Sequence, residues 1–348
     1  MPGASDFLSF WTAGRFVWEG QAAAAYDLTA LRLAEDRGAV MQPGAVLAFF
    51  YPPPFLLLCL PFALLPYLAG FAAFVAAQTA ALVVLLRRIL PEGWGYLPVL
   101  AFPGLLLNAA HRAERFVSAS CFAGALLLLG RSPIAAGSVL GLLVVKPHLA
   151  LAVPVALLCA RRWRALFACG MSAIVIVAMS WAVLGSASWA GFLRAAPEIR
   201  AALELHAEDW AKLQSVFTTA RVLGAPLGVA YAVQAAVGLG VLAGLATASR
   251  RRPGPGAETA LLATAALLCT PHVLDYDLAV AGVPLAWLAH EADGGGWRPW
   301  EKFAAGLVYL WPLVGRVLTQ SYGVALGPLL LLWLFVLLRR RAMAMVTV

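Results

Sequence analysis

The chain has 348 residues, 62% of them hydrophobic and 12% charged, with a mean hydropathy of +0.85. Soluble domains carry about 25% charged residues, so this composition excludes a soluble enzyme, a disordered chain and a collagen-like fibre. The net charge of +8 does not indicate nucleic acid. Only three of the 25 basic residues are Lys, and the Arg residues cluster between apolar runs at Arg87-Arg88, Arg161-Arg162-Arg164, Arg250-Arg251-Arg252 and Arg339-Arg340-Arg341, as cytoplasmic membrane loops do.

Long runs of Ala, Leu and Val predict an all-α, polytopic transmembrane helical bundle. The short alternating strands of a lipid-facing barrel are missing. Residues 1–348 form a single membrane domain in this reading. Met1–Asp6 lacks a charged stretch leading into an apolar one, so no signal peptide is expected. The five Cys all lie in apolar runs without a CxxC pair, as small buried helix residues would.

Residues 6–50 mix Phe7, Phe10, Trp11, Trp18 and Tyr26 with Arg15, Glu19, Asp27, Arg32, Glu35, Asp36 and Arg37. They predict an amphipathic extracytoplasmic loop lying along the membrane surface. About eleven spans follow, at 53–66, 67–86, 96–110, 116–130, 133–160, 165–185, 222–248, 257–271, 274–289, 302–318 and 323–338. The arginine clusters orient the second half. They place 186–221 and Thr270–Asp277 outside, and His290–Glu301 and the C-terminus inside. The first half then poses a parity problem. Either 53–66 does not cross, or 133–160 is one helix kinked at Lys146-Pro147. The kink is preferred, since Pro bends a helix without necessarily ending it, although Arg87-Arg88 would then lie outside.

Ionisable residues at membrane depth are the informative ones. Asp6, ahead of Phe7-Leu8-Ser9-Phe10-Trp11, suits a base and also a helix N-cap, and spacing alone favours the cap. Lys146 stands inside an apolar run, Gly141–His148, where it needs an anion or a carboxylate; the alternative is snorkelling to the surface. His272 stands with Asp275 and Asp277 and can donate to a phosphate, its tautomer set by a nearby carboxylate. His111, Arg112, Glu114 and Arg115 form a charged turn. In 186–221, the residues Glu204, His206, Glu208, Asp209 and Lys212 read as a solvated amphipathic helix and not as a metal-ligand set. No P-loop, GxSxG or HExxH motif is present.

Several segments together resemble glycosyltransferase family 87: Asp6–Arg15, Ala25-Tyr26-Asp27, Phe50-Tyr51-Pro-Pro-Pro-Phe55 with Leu60–Pro66, Lys146-Pro147, Trp210–Phe217 with Arg221, and Thr270-Pro271 to Asp277. The resemblance covers nearly the whole chain. It implies a GT-C-like fold in the cell membrane with its active site on the extracytoplasmic side. It also implies inverting transfer of a hexose, mannose-like, from a polyprenyl-phosphate sugar donor to a hydroxyl of a lipid or glycan acceptor. Asp6 would be the base, and Lys146 and His272 would hold the donor phosphate. Arg15, Asp275 and Tyr51 would be further substrate-binding residues. Neither a metal nor a cofactor is implied. The chain departs from the family in two places: its first residues, where members carry a span before the acidic motif, and His111–Phe116, where members carry a Gly-Gln-Asn-like turn. A membrane transporter or lipid flippase, and a catalytically inactive relative, are the competing readings. Inverted repeats, expected of many transporters, are not visible.

Overall fold

The computed structural model describes residues 6–38, 47–110, 116–205 and 207–346. Its regular elements are helical, and among the described residues the isolated bridge Leu213–Leu274 is the only extended pairing. In chain order the helices are α1 (Asp6–Trp18), α2 (Leu28–Gly38), α3 (Pro53–Ala63), α4 (Tyr67–Ile89), α5 (Leu97–Leu100), α6 (Pro103–Ala110), α7 (Val117–Leu128), α8 (Pro133–Gly141), α9 (Pro147–Ala150), α10 (Val153–Cys159), α11 (Trp163–Leu205), α12 (Val216–Val222), α13 (Leu227–Arg250), α14 (Pro255–Leu268), α15 (Gly282–Gly295), α16 (Glu301–Tyr322) and α17 (Gly327–Ala344). Many begin on proline: α3, α8, α9, α10, α14 and α17 all carry one in the first turn. There the missing N–H costs nothing and the fixed φ suits a helix.

Among the described residues, three helical stretches are long and apolar enough to cross a membrane: Tyr67–Ile89, Trp163–Glu198 and Leu227–Arg250. On α11, Phe167, Met171, Ile174 and Trp181 recur at helical spacing and are each more than half exposed. An apolar stripe of that size facing outward belongs against lipid. The largest core cluster gathers α4, α7, α14, α15 and α17, with Phe116, Phe122, Leu261 and Trp287 buried in it.

The arginine clusters lie at one end of this bundle. Arg162 pairs with Glu258 at 3.0 Å, Arg252 donates to the Ala160 carbonyl, and Arg339 reaches Gly244 and Thr247. Arg341 holds Glu301 and the Gly296 carbonyl. The indole of Trp94, just past Arg87 and Arg88, donates to Asp293.

These contacts overturn the preferred solution of the parity problem. Residues 133–160 are not one kinked helix. Gly137 packs on Ala165 and Gly141 on Cys169, so α8 rises from the arginine end alongside the start of α11. The chain breaks at Lys146 (φ −141°, ψ 67°), and α9 and α10 return to Ala160 at the same end. The two arms form an inverted V with Lys146 at its apex. At 11 residues, α3 is about 16 Å long. It packs on α1, where Gly14 meets Cys59 and Ala63. The following α4 then carries Arg87 and Arg88 to the arginine end, in keeping with the charge rule.

Residues 186–205, the first part of the expected extracytoplasmic loop with its amphipathic helix, are helical and follow directly on the preceding helix. Its axis breaks at Gly185 (φ 74°), a backbone region that glycine enters without penalty. Beyond it Phe192 meets the Tyr26 ring at 5.9 Å. The region 6–50 forms helices over Asp6–Trp18, Ala22–Tyr26 and Leu28–Gly38, and an aromatic cluster of Phe7, Phe10, Phe49, Tyr51, Phe55 and Phe74 ties it to Val145 and Leu184.

Candidate active site

Four elements converge at the apex of the V. Lys146 ends a short 3-10 turn, Leu142–Val145, and Pro147 begins the next helix, so the lysine occupies the gap between two helical arms. Its ammonium pairs with Asp277, and both side chains are nearly inaccessible, at 6% and 1%. The Tyr276 ring lies 5.0 Å from the same ammonium. The second Asp277 oxygen accepts the Leu274 N–H at 3.1 Å, so the carboxylate both caps the turn Asp275–Ala281 and holds the lysine. Breaking such a buried pair would leave an uncompensated charge.

Two imidazoles stand beside the pair. His148 and His272 meet edge to face with ring centroids 5.5 Å apart. The His272 backbone is fixed by its N–H donating to Thr270 Oγ1 at 3.2 Å. Segment 213–214 closes one side: the Gln214 N–H donates to the Val273 carbonyl at 2.6 Å, and the Gln214 amide oxygen accepts from the Trp311 indole at 2.8 Å. The tract Trp210–Phe217, singled out in the sequence, therefore frames the His272 turn. Arg221 lies over the Trp210 ring at 4.7 Å and donates to the Ala225 carbonyl.

Depth follows from helix length. The 14 residues of α14 lift the chain about 21 Å from the arginine end before the His272 turn begins. Gln234 reaches the Leu268 carbonyl at 2.9 Å, so the first turns of α13 rise roughly 10 Å higher. The cluster thus sits recessed below the rim opposite the arginines.

A cation missed by the sequence reading adjoins it. Arg316 stands inside the apolar helix α16, and Asp275 is its ion-pair partner at 3.7 Å, beyond normal hydrogen-bond distance. Asp275 also accepts the Tyr276 N–H at 2.8 Å. The signal was available in Leu313-Val314-Gly315-Arg316-Val317-Leu318. Asp277 as the lysine's carboxylate and His148 as the imidazole facing His272 were visible only as nearby motif residues.

Of the residues expected to act, Lys146, His272 and Asp275 come together. Tyr51 shares a buried apolar cluster with Val145, the residue before Lys146; its ring stacks on Phe55 at 4.2 Å and its carbonyl accepts from the Tyr26 hydroxyl. Arg15 is not brought to the cluster. It is half-exposed, 3.4 Å from Glu19 and over the Trp11 ring. Asp6 opens α1, but its side chain lies outside the described residues, as do His111, Arg112, Glu114, Arg115, His206 and the side chains of Glu208 and Asp209. Glu204 binds Arg200 and the Tyr231 hydroxyl, both at 2.7 Å. These bonds, Arg200's first, hold its carboxyl below the usual carboxylate range. Among the described residues no three His, Cys, Asp or Glu side chains gather as a metal-holding group.

The sequence profile of glycosyltransferase family 87 matches residues 49–271. That stretch contains Tyr51, Lys146 and His148 and ends one residue before His272. Neither a curated protein nor a solved structure matches the chain.

Proposed function

The chain belongs to glycosyltransferase family 87, a family of membrane glycosyltransferases, and from that premise we propose that it moves a mannose-like hexose from a polyprenyl-phosphate donor to a lipid or glycan hydroxyl. The observation that carries the reading is the recessed Lys146–Asp277 pair with His148 and His272 beside it. Cations and imidazole donors at one recessed point suit a phosphate whose prenyl chain stays in the bilayer. A three-donor ammonium can hold Asp277 and a phosphate oxygen together, so the carboxylate sets where the ammonium sits.

The step is a single displacement. The Asp6 carboxylate takes the acceptor hydroxyl proton, and the hydroxyl oxygen bonds to the anomeric carbon from the face opposite the phosphate. The bond from that carbon to the phosphate oxygen breaks, and its electron pair leaves with the polyprenyl phosphate. The sugar's configuration inverts. Lys146 and His272 meet charge that grows on the departing phosphate, which is stabilisation given preferentially to the transition state. Tyr51 would present the first surface helix to this point. In the same reading the helices make about eleven traverses in a multi-pass cell-membrane protein, and the recess faces away from the cytoplasm.

The test is transfer of labelled mannose from polyprenyl-phosphate-mannose in vesicles carrying the protein and a membrane lipid extract. Asp6→Asn should lower transfer about 10²–10⁴-fold, the range of general base catalysis, while the protein elutes as a folded species. Transfer at the native rate by Asp6→Asn removes Asp6 from this role.

A further inference from the structure

We propose that Arg316 is a second contact for the donor phosphate and that Asp275 occupies it until the donor arrives. This rests on the phosphate reading above and adds to it a residue and a positioning device.

The argument begins with the mismatch in that pair. Arg316 lies in a helix whose exposed residues Leu310, Leu313, Val314 and Val317 are apolar, yet its guanidinium is about one-third exposed. Its partner stands at 3.7 Å, so the two attract without a hydrogen bond. A guanidinium fork matches two oxygens of a carboxylate or a phosphate when they come within reach. Asp275 meanwhile spends its other oxygen on the Tyr276 N–H, which anchors the carboxylate to the turn and keeps it from closing on the arginine. Two residues later the same turn carries Asp277, which does grip its cation. The turn Asp275–Ala281 therefore presents one tight ion pair and one loose pair, with His272 just ahead of both. Arg316 thus meets, through Asp275, the same turn whose Asp277 holds Lys146, and a phosphate at Lys146 and His272 is the competing anion for its guanidinium. On that exchange the guanidinium gains a doubly hydrogen-bonded anion, and Asp275 keeps its backbone bond. Asp275 is then a positioning residue that competes with the donor, contrary to its expected role as a substrate contact.

The two roles predict opposite signs. Farnesyl phosphate serves as probe, with farnesol and inorganic phosphate as the arms that separate headgroup from chain and lipid phosphate from free phosphate. Binding is measured on the full chain in detergent. Arg316→Gln should weaken farnesyl phosphate about tenfold, the size of one charge-assisted hydrogen bond. Asp275→Asn keeps the acceptor for Tyr276 and should tighten it severalfold. The double variant should match Arg316→Gln, since nothing remains to release. Farnesol binding should not follow either change, and inorganic phosphate should bind far more weakly than the lipid phosphate.

Unaltered farnesyl phosphate affinity in a folded Arg316→Gln protein overturns the proposal, and so does weaker binding by Asp275→Asn. His272→Asn separates the two levels. If it weakens the probe while Arg316→Gln does not, only the exchange falls. If the native protein does not distinguish farnesyl phosphate from farnesol, the phosphate reading falls with it.

Discussion

Lys146 is a residue whose meaning depends on its partner. A lysine in the run Gly141–His148 announces itself in the sequence, because an apolar stretch gives it nothing to bind. Asp277, 131 positions away, is what makes it tolerable, and no local pattern links the two. Removing either member should therefore destabilise strongly. Lys146→Met leaves Asp277 buried and unpaired and should cost about 3–5 kcal/mol, read as a large fall in the thermal midpoint in detergent. Lys146→Met with Asp277→Leu removes both charges and should recover most of that loss while transferring no sugar. A double variant that is stable and still transfers would make the pair a structural device only. Arg316 escaped the sequence reading for a related reason. The clustered arginines read as loop charges, and this one stands alone within an apolar helix where that explanation does not apply.

At the scale of elements, the sequence marked the break at Lys146-Pro147 but not its angle. Proline reports that a hydrogen bond is lost; whether the chain bends or reverses depends on what the next segment packs against. The deciding contacts are the close approaches of Gly137 to Ala165 and of Gly141 to Cys169, where an added methyl group would stand only 2.6 Å from the Cys169 carbonyl oxygen, and they seat α8 directly on α11. A methyl group at Gly137 would run into the Ala165 backbone, which cannot swing aside as a side chain could. Gly137→Ala should therefore cost about 1–3 kcal/mol by overpacking. Gly240→Ala, in helix α13 with nothing within 4 Å of the new carbon, should instead gain roughly 0.5–1 kcal/mol. Thermal unfolding of the two variants side by side checks the sign, and equal midpoints would mean that the α8–α11 contact yields easily. In residues 186–205 the polar pattern does point to an amphipathic helix, but its continuity with the apolar helix before it is not legible, because the single glycine that redirects the axis, Gly185, has no distinguishing sequence context.

For the whole molecule, the arginine clusters are the most legible feature, and the path of the chain between them is the least. The segment 53–66 is as apolar as a span, but its prolines Pro52, Pro53, Pro54, Pro61 and Pro66 accompany a short helix, Pro53–Ala63, that packs on α1. Once it is left at the rim, Arg87 joins the other arginines, its side chain bonded to the Glu92 carbonyl at 2.7 Å, and no cluster violates the charge rule. The orientation then has a direct consequence. Glu92 and Glu198 are both exposed, one beside Arg87 and the other on the helix beyond Gly185. With the five native cysteines replaced by alanine, Glu198→Cys should react with a membrane-impermeant maleimide on intact cells, and Glu92→Cys only after permeabilisation. The reverse pattern would turn the recess towards the cytoplasm, and a lipid-phosphate sugar would then have to be presented from the inner leaflet. Labelling of both on intact cells would mean that the arginine end and the recess do not lie on opposite sides of one bilayer. Equal protection of both would place Glu198 within the lipid, where an exposed carboxylate at the end of an apolar helix is poorly tolerated.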